Sequence, residues 1–205
     1  MGFYELGQYD RTQETIDRAL HVSPNVQSRH LKTAILGVAA VIHAETATTA
    51  TEKTLVVSSL NQAALLIPPS QSPCAVSDDN FFRCDRGMLA IYKAMVFISP
   101  NMKGFTAEKV SDMLEDAQRW TCPELVRRQT CITCLQAQVH FLAGDYQQAT
   151  EVALSALEKS RLIRSRLWRN ALEGLYQRLM NTSYKGKPLL VYLGAQLRTW
   201  DYGMG

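Results

Sequence analysis

Apolar residues recur every three or four positions along almost the whole chain, which is the spacing of one face of an α-helix. The strict alternation of apolar and polar residues that marks a half-buried strand is absent. Pro, Gly and short polar clusters interrupt the periodic runs and mark the turns. This pattern favours an all-α fold in which neighbouring amphipathic helices bury their apolar faces against each other.

Residues 130–160 give the clearest helix pair. Gly144 can end the first helix because glycine tolerates a positive φ, and Asp145 can cap the free amides of the second. We therefore predict an αα-hairpin whose two helices face each other. The apolar stripes are Ile132, Leu135, Val139 and Leu142 before the turn, and Tyr146, Ala149, Val152, Ala153, Ala156 and Leu157 after it.

A Gly, an aromatic residue two positions later and an Ala twelve positions later occur together twice. The two copies are Gly7, Tyr9 and Ala19, then Gly144, Tyr146 and Ala156. This pattern resembles the second helix of the tetratricopeptide repeat. The first helix of the repeat matches poorly, with Thr133, Gln136, Ala137 and His140 at the four core positions.

The resemblance implies a right-handed αα-hairpin solenoid of degenerate tetratricopeptide-like repeats with a C-terminal capping helix. Ala19, Ala64, Ala117 and Ala156 are taken as corresponding positions, and the steps between them are 45, 53 and 39 residues, whereas the repeat has about 34. We treat residues 1–205 as one domain. Its predicted units are about 1–24, 25–69, 79–122 and 124–160, followed by helices over 160–180 and 187–200.

The first unit has at most six residues, 1–6, for its first helix. Repeat arrays do not normally begin on half a unit, so we expect the chain to be a fragment of a longer protein with an N-terminal effector domain. The alternative is that this first helix is simply short.

The five cysteines are odd in number and irregularly spaced, so reduced thiols are expected. There is no uninterrupted apolar run of membrane-spanning length, and the first residues lack the features of a secretory signal. We therefore predict a cytoplasmic protein with no membrane partner.

The sequence carries only weak signals of a catalytic, metal or cofactor site. Cys131 and Cys134 have the gap of a metal or redox pair, but no second pair follows at zinc-site spacing, so packing or groove lining is favoured. The four histidines are isolated, Asp78-Asp79 is interpreted as a helix cap, and no Gly-rich phosphate loop occurs. No catalytic, metal or cofactor residue is assigned, no cofactor is expected, and the chain is not predicted to be an enzyme.

Residues 159–200 carry nine Lys or Arg and one acid, Glu173. Arg161, Arg164, Arg166 and Arg169 fall at different angles around a helix and form no single ridge, so a solvated surface is favoured. Binding of acidic peptides or of phosphates remains open.

A solenoid of this kind implies a concave face that receives a peptide or protein partner. We predict the sensor or interaction region of a bacterial signalling or transcription-regulatory protein, because the layout also resembles regulators that join a helix-turn-helix to such repeats. A freestanding adaptor is the alternative, and a nucleic-acid binder using the basic end is a weaker one; homo-oligomerisation stays open. Trp168 is either a recognition anchor or an interhelix filler. The candidate contacts are Arg128, Cys131, Cys134, Gln138, Phe141, Arg164, Ser165 and Trp168.

Overall fold

The computed structural model describes residues 9–22, 28–68, 84–102 and 104–200. Within these ranges every regular element is an α-helix, which confirms the all-α prediction for the described residues. The chain divides into two compact units, residues 1–122 (unit 1) and 123–205 (unit 2). Each unit is described by itself.

Unit 1 contains five described helices: α1 Tyr9–Val22, α2 Arg29–Thr46, α3 Ala50–Leu65, α4 Arg86–Ile98 and α5 Ala107–Arg119. Each helix packs against the next, and α2 also packs against α4. The buried faces of α2, α3 and α4 form one core, to which Leu36, Val56, Leu60, Tyr92 and Val96 contribute, and Leu20 of α1 packs against it.

Unit 2 contains four described helices: α6 Val126–Leu142, α7 Tyr146–Leu162, α8 Arg166–Leu179 and α9 Pro188–Thr199. Successive helices pack together, and α6–α8 and α7–α9 contacts join alternate helices. The predicted last helix is present, with Pro188 in its first turn and Leu190, Leu193 and Leu197 buried.

The α6–α7 turn forms as predicted. Gly144 has a φ of 79°, and the Asp145 side chain accepts a hydrogen bond from the Gln148 amide at 3.1 Å. Leu142, however, is 48% exposed and does not belong to the buried stripe. Burial instead runs without a break from Thr130 to Leu135, because α6 is covered around most of its circumference.

The helix predicted over 160–180 begins later in the structure, at Arg166, so its predicted first residue is wrong. Helix α7 continues to Leu162, and Ser160 is a buried residue within it. The next turn is made by Arg164, whose φ is 49°, and by Ser165, which caps α8. The amide of Ser165 donates to the Ser160 carbonyl at 3.1 Å, as that of Asp145 does to His140 at 3.0 Å, so the two turns share one geometry.

Helix α4 begins later than the sequence predicts. The predicted unit starts at residue 79, but Cys84 and Asp85 are not helical, and buried Asp85 caps α4 by accepting from the Met88 amide at 2.9 Å. The cap predicted at Asp78-Asp79 lies outside the described residues.

Two glycines bring the neighbours of α4 unusually close. A Cβ atom on Gly37 of α2 would overlap Cδ2 of Tyr92, and one on Gly87 would lie 3.0 Å from the Trp120 carbonyl oxygen. Glycine therefore fixes how closely α4 approaches α2 and the end of α5.

The segment after α4 is anchored to the end of α2. The Ser99 hydroxyl donates to the Ala44 carbonyl at 3.1 Å, and the Asn101 side-chain amide donates to the Glu45 carbonyl at 2.6 Å. Met102 is buried beside these contacts. The anchor sets where α5 begins relative to α4.

Replacing Gly37 by Ala should lower the free energy of unfolding by about 1–3 kcal/mol, because the added methyl overlaps the buried Tyr92 ring. Urea denaturation measures this change. Gly174→Ala is the matched control, since nothing lies within 4 Å of its Cβ position in α8, and it should raise stability by up to about 1 kcal/mol. Equal effects of the two substitutions would contradict the close α2–α4 contact.

Glu52 completes a capping box at the start of α3. Its carboxylate accepts from the Thr48 and Thr49 amides at 2.8 and 2.9 Å, and the Thr49 backbone bond is the largest cause that lowers the Glu52 pKa to about 2. Since the folded pKa is depressed, this stabilisation is present above the ordinary pKa of 4.5 and is lost as pH falls through about 2.

Glu52→Gln should therefore lower the thermal unfolding midpoint at pH 7, and the difference from the unsubstituted protein should shrink towards zero near pH 2. Circular dichroism at several pH values measures it. Glu158→Gln, on an exposed site of α7, serves as control and should show no comparable loss. A difference that stays constant with pH would contradict the role of the charged carboxylate.

Candidate functional site

The eight predicted contact residues all lie in unit 2, but two of them are core residues. Cys131 and Cys134 are 5% and 0% exposed, and Cys134 belongs to the main core cluster of the unit. A ligand on the surface cannot touch these sulfur atoms, so their assignment as groove contacts is wrong. Helix α6, which carries both cysteines, packs against α7 and α8.

The surroundings of the two thiols also make them unreactive. Burial raises the Cys134 pKa to about 12, opposed by a hydrogen bond with Ser160 and by the charge of Lys159. Burial, and then the neighbouring Cys134, raise the Cys131 pKa well above its ordinary value. A thiol must lose its proton to act as a nucleophile or metal ligand, and these two are held protonated.

Phe141 and Gln138 are half-buried. The Arg178 guanidinium lies over the Phe141 ring, 4.8 Å from its centroid, and the Tyr146 ring lies 5.7 Å away. Burial lowers the Arg178 pKa. One face of Phe141 is therefore occupied within the unit itself.

The remaining predicted contacts surround the start of α8. Arg164 is exposed, Ser165 caps α8 by accepting from the Trp168 amide at 3.5 Å, and Trp168 packs against the unit 2 core. Of the two roles predicted for Trp168, this packing corresponds to filling space between helices. Arg128 of α6 is half-buried. These side chains form no continuous exposed set.

Several cations of the basic C-terminal quarter, residues 159–200, are engaged in contacts within unit 2. Arg161 donates to the Gln196 side chain at 2.9 Å and to the Gln196 carbonyl at 2.6 Å, which ties α7 to α9. Arg169 pairs with Glu173 at 2.7 Å. Lys159 donates to the Thr133 hydroxyl at 2.9 Å.

Arg178 is half-buried over Phe141. The other five of the nine cations are exposed but lie at two ends of unit 2. Helices joined by short loops run antiparallel, so Arg164, Arg166 and Arg198 share one end while Lys185 and Lys187 share the other. The basic quarter therefore offers no single continuous patch.

An open cleft in unit 1, of about 610 Å³, was not predicted from the sequence. It lies along α4 and α5 and reaches the residues that follow α3. We call it the unit 1 cleft, and its volume is within the about 300–1,000 Å³ range of ligand sites. Its apolar residues include Ile67, Leu89, Ala90, Met113 and Trp120, and its charged residues are Arg86, Lys93, Lys109, Asp112 and Asp116.

At one end of the unit 1 cleft, a cation forms an ion pair with a carboxylate. The Arg86 guanidinium lies 3.5 Å from the Asp116 carboxylate and 4.6 Å from the centroid of the Trp120 ring. The close approach at Gly87 holds this end of α4 against the end of α5. The charge of Arg86 is largely satisfied there.

The other end carries two cations that have no partner in the part of the chain that the structure describes. Lys93 of α4 and Lys109 in the first turn of α5 both line the cleft, and neither ammonium group has a salt-bridge or hydrogen-bond partner among the described residues. Asp112, one turn after Lys109, also has no such partner there. The arrangement can attract an anionic group next to an apolar floor.

A sequence signal for this cleft exists. Positions 86, 89, 90 and 93 share one helical face, as do 109, 112, 113, 116 and 120. Each face mixes charged with apolar residues, which is also the appearance of an ordinary partly exposed helix. The signal becomes informative only when the two faces are known to adjoin.

The expectation of reduced thiols fails at Cys122, which is disulfide-bonded. Its partner in the bond lies outside the described residues. Cys84, Cys131 and Cys134 are free and buried. An odd cysteine count does not exclude one disulfide, and this is why the sequence argument missed it.

Metal-binding and membrane-spanning features are both missing from the described residues. These residues contain no group of three or more His, Cys, Asp or Glu side chains placed to hold a metal ion. None of the helices within the same ranges combines the length and the apolar character needed to cross a bilayer.

No protein-family model, no curated protein and no solved structure matches this chain. Its function must therefore be argued from its own residues.

Counting thiols tests this description of the cysteines. The native protein should react with Ellman's reagent at pH 8 only on the timescale of unfolding, because the free thiols are buried and the raised pKa of Cys134 keeps it protonated. After denaturation without reductant, three thiols should react, and after reduction all five. Five reactive thiols before reduction would rule out the disulfide, and rapid reaction of the native protein would contradict the burial.

Proposed function

We propose that this chain is a non-catalytic interaction module of packed helical hairpins that binds an extended peptide or protein segment in the unit 1 cleft. The observation that carries the proposal is the pairing, in one open cleft, of an apolar floor with ammonium groups that have no partner among the described residues. Binding sites combine apolar lining with a few polar groups that fix orientation.

We also propose that the hairpins stack as a right-handed tetratricopeptide-like solenoid, with α9 as the capping helix of unit 2. Contacts between alternate helices within each unit support stacking, and so does the shared turn geometry at Gly144 and Arg164. Helical-hairpin arrays present extended binding surfaces.

A regulatory role is the next step of the proposal. The module would act as the sensor or interaction region of a bacterial regulator and convey binding to an effector domain elsewhere in the full protein. Its support is the layout of the sequence. A freestanding adaptor would use the same cleft, and the two roles are separated by whether binding alters the activity of a second domain.

Nucleic-acid binding has weaker support. Arg161, Arg169 and Arg178 are engaged within unit 2, and the exposed cations are divided between its two ends. A phosphate backbone is bound by a basic stripe or patch on one face.

A cytoplasmic location also remains a proposal. A disulfide such as that of Cys122 is more typical of oxidising compartments. Alkylation of the protein directly in cells tests the location: reduced Cys122 supports the cytoplasm, and oxidised Cys122 supports an oxidising compartment.

Peptide binding is tested with an array of immobilised random twelve-residue peptides. The purified chain should bind a reproducible subset, and Met113→Glu should weaken most of these signals at least tenfold, because it places a charge on the apolar floor. Leu162→Glu is the control, since Leu162 is 80% exposed in unit 2, and it should retain binding. Absence of binding above background, or equal losses in both variants, would contradict the proposal.

A further inference from the structure

We infer that the unit 1 cleft selects an extended segment carrying one carboxylate, bound between Lys93 and Lys109, and an apolar side chain three residues away, bound towards Trp120. This inference rests on the proposed function and adds the class of partner and its orientation in the cleft. It follows from the uneven distribution of charge along α4 and α5.

The positive end is built from two helices. Lys93 projects from α4, and Lys109 lies in the first turn of α5, directly after the Thr106 cap. Their ammonium groups have no salt-bridge or hydrogen-bond partner among the described residues. The positive end of the α5 helix dipole adds to their field, so this end attracts an anion.

The opposite end of the cleft attracts an anion less strongly, because its cation is already paired with a carboxylate. The Arg86 guanidinium is paired with Asp116 at 3.5 Å and lies over the Trp120 ring at 4.6 Å. What this end offers to a ligand is the large aromatic side chain of Trp120, and apolar Ile67 and Leu89 also line the cleft. It therefore suits an apolar or aromatic side chain.

The charge balance favours a carboxylate over a phosphate. Lys93 and Lys109 supply two positive charges, and Asp112, which also lines the cleft without a partner among the described residues, supplies one negative charge. The net charge of one matches a carboxylate, whereas a phosphate group carries about −1.5 to −2 at pH 7. Asp112 remains available to accept a backbone N–H of the bound segment.

The length of the cleft sets the spacing. Arg86 and Lys93 are separated by seven residues of α4, about 10 Å along the helix. An extended chain in the polyproline II conformation rises ~3.1 Å per residue with three residues per turn, so it covers this distance in about three residues and presents positions i and i+3 on the same side. The carboxylate and the apolar side chain are therefore expected at positions i and i+3, in either chain direction.

The probes are twelve-residue Gly/Ser-rich peptides that contain Asp-Ala-Ala-Phe or Phe-Ala-Ala-Asp at their centre. Isothermal titration calorimetry should show that one of the two orders binds the unsubstituted protein. Replacing the peptide's Asp by Asn should weaken binding at least tenfold, and replacing its Phe by Ala should do the same. A phosphoserine in place of Asp should bind less tightly than Asp.

Lys93→Glu and Lys109→Glu should each weaken binding of the Asp peptide at least tenfold, and Lys93→Met and Lys109→Met should weaken it less while keeping the aliphatic stems. The control is Lys53→Glu, which makes the same change of charge on α3 outside the cleft and should leave affinity within twofold. Circular dichroism verifies that each variant is folded.

The outcomes separate the two proposals. If array peptides bind and are lost in Met113→Glu, but neither probe order depends on Asp or on the two lysines, the cleft binds peptides and the carboxylate assignment is overturned. Tighter binding of the phosphoserine peptide also overturns it. If no peptide of any composition binds, the proposed function itself fails.

Discussion

Helix α4 is packed so tightly against its neighbours that the structure of unit 1 depends on these contacts. At Gly37 a Cβ atom would overlap the Tyr92 ring, and at Gly87 it would lie only 3.0 Å from the Trp120 carbonyl oxygen. Overlap in a packed interior is costly because side chains there cannot move freely. The Asp85 cap fixes the beginning of the helix, and the Ser99 and Asn101 hydrogen bonds fix the segment after its end. The rotation of α4 about its axis is thereby set, and with it the face that carries Arg86 and Lys93.

That rotation produces the polarity of the cleft. Arg86 meets Asp116 and Trp120 where α4 begins and α5 ends, so one cation is satisfied internally. Lys93 lines the cleft together with Lys109 of the first turn of α5. There the two lysines and the helix dipole contribute positive charge, which Glu108 and Asp112 offset only in part. One pair of antiparallel helices thus presents, along a common apolar floor, one end whose cation is paired and one end whose lysines have no partner among the residues described.

The sequence predicted the elements better than their boundaries. Gly144 and Asp145 mark their turn because glycine at positive φ and an Asp cap are strong local signals. The geometrically equivalent turn at Arg164 carries no such signal, since an arginine rarely adopts a φ of 49°, and the predicted helix was therefore started too early at Ser160. At α4 the acidic pair at 78–79 drew the predicted cap away from Asp85, which has the same chemistry.

The candidate site could not be predicted in the same way. Sequence periodicity locates a buried face within one helix, but it does not show how completely other helices cover the remaining surface. Cys131 and Cys134 were placed on a concave face by the resemblance to the tetratricopeptide repeat, although both are buried. The cleft along α4 and α5 was missed because each of its two faces mixes charged with apolar residues, as the faces of ordinary partly exposed helices do.

The position of a bound segment is the most direct test of the unit 1 cleft as a binding site. Backbone and indole ¹H–¹⁵N NMR shifts recorded during titration with the better-binding Asp and Phe peptide locate that segment. We predict that the largest changes occur at Lys93, Lys109 and Trp120. Changes centred instead on Phe141, Arg164 and Trp168 of unit 2 would contradict binding in the cleft.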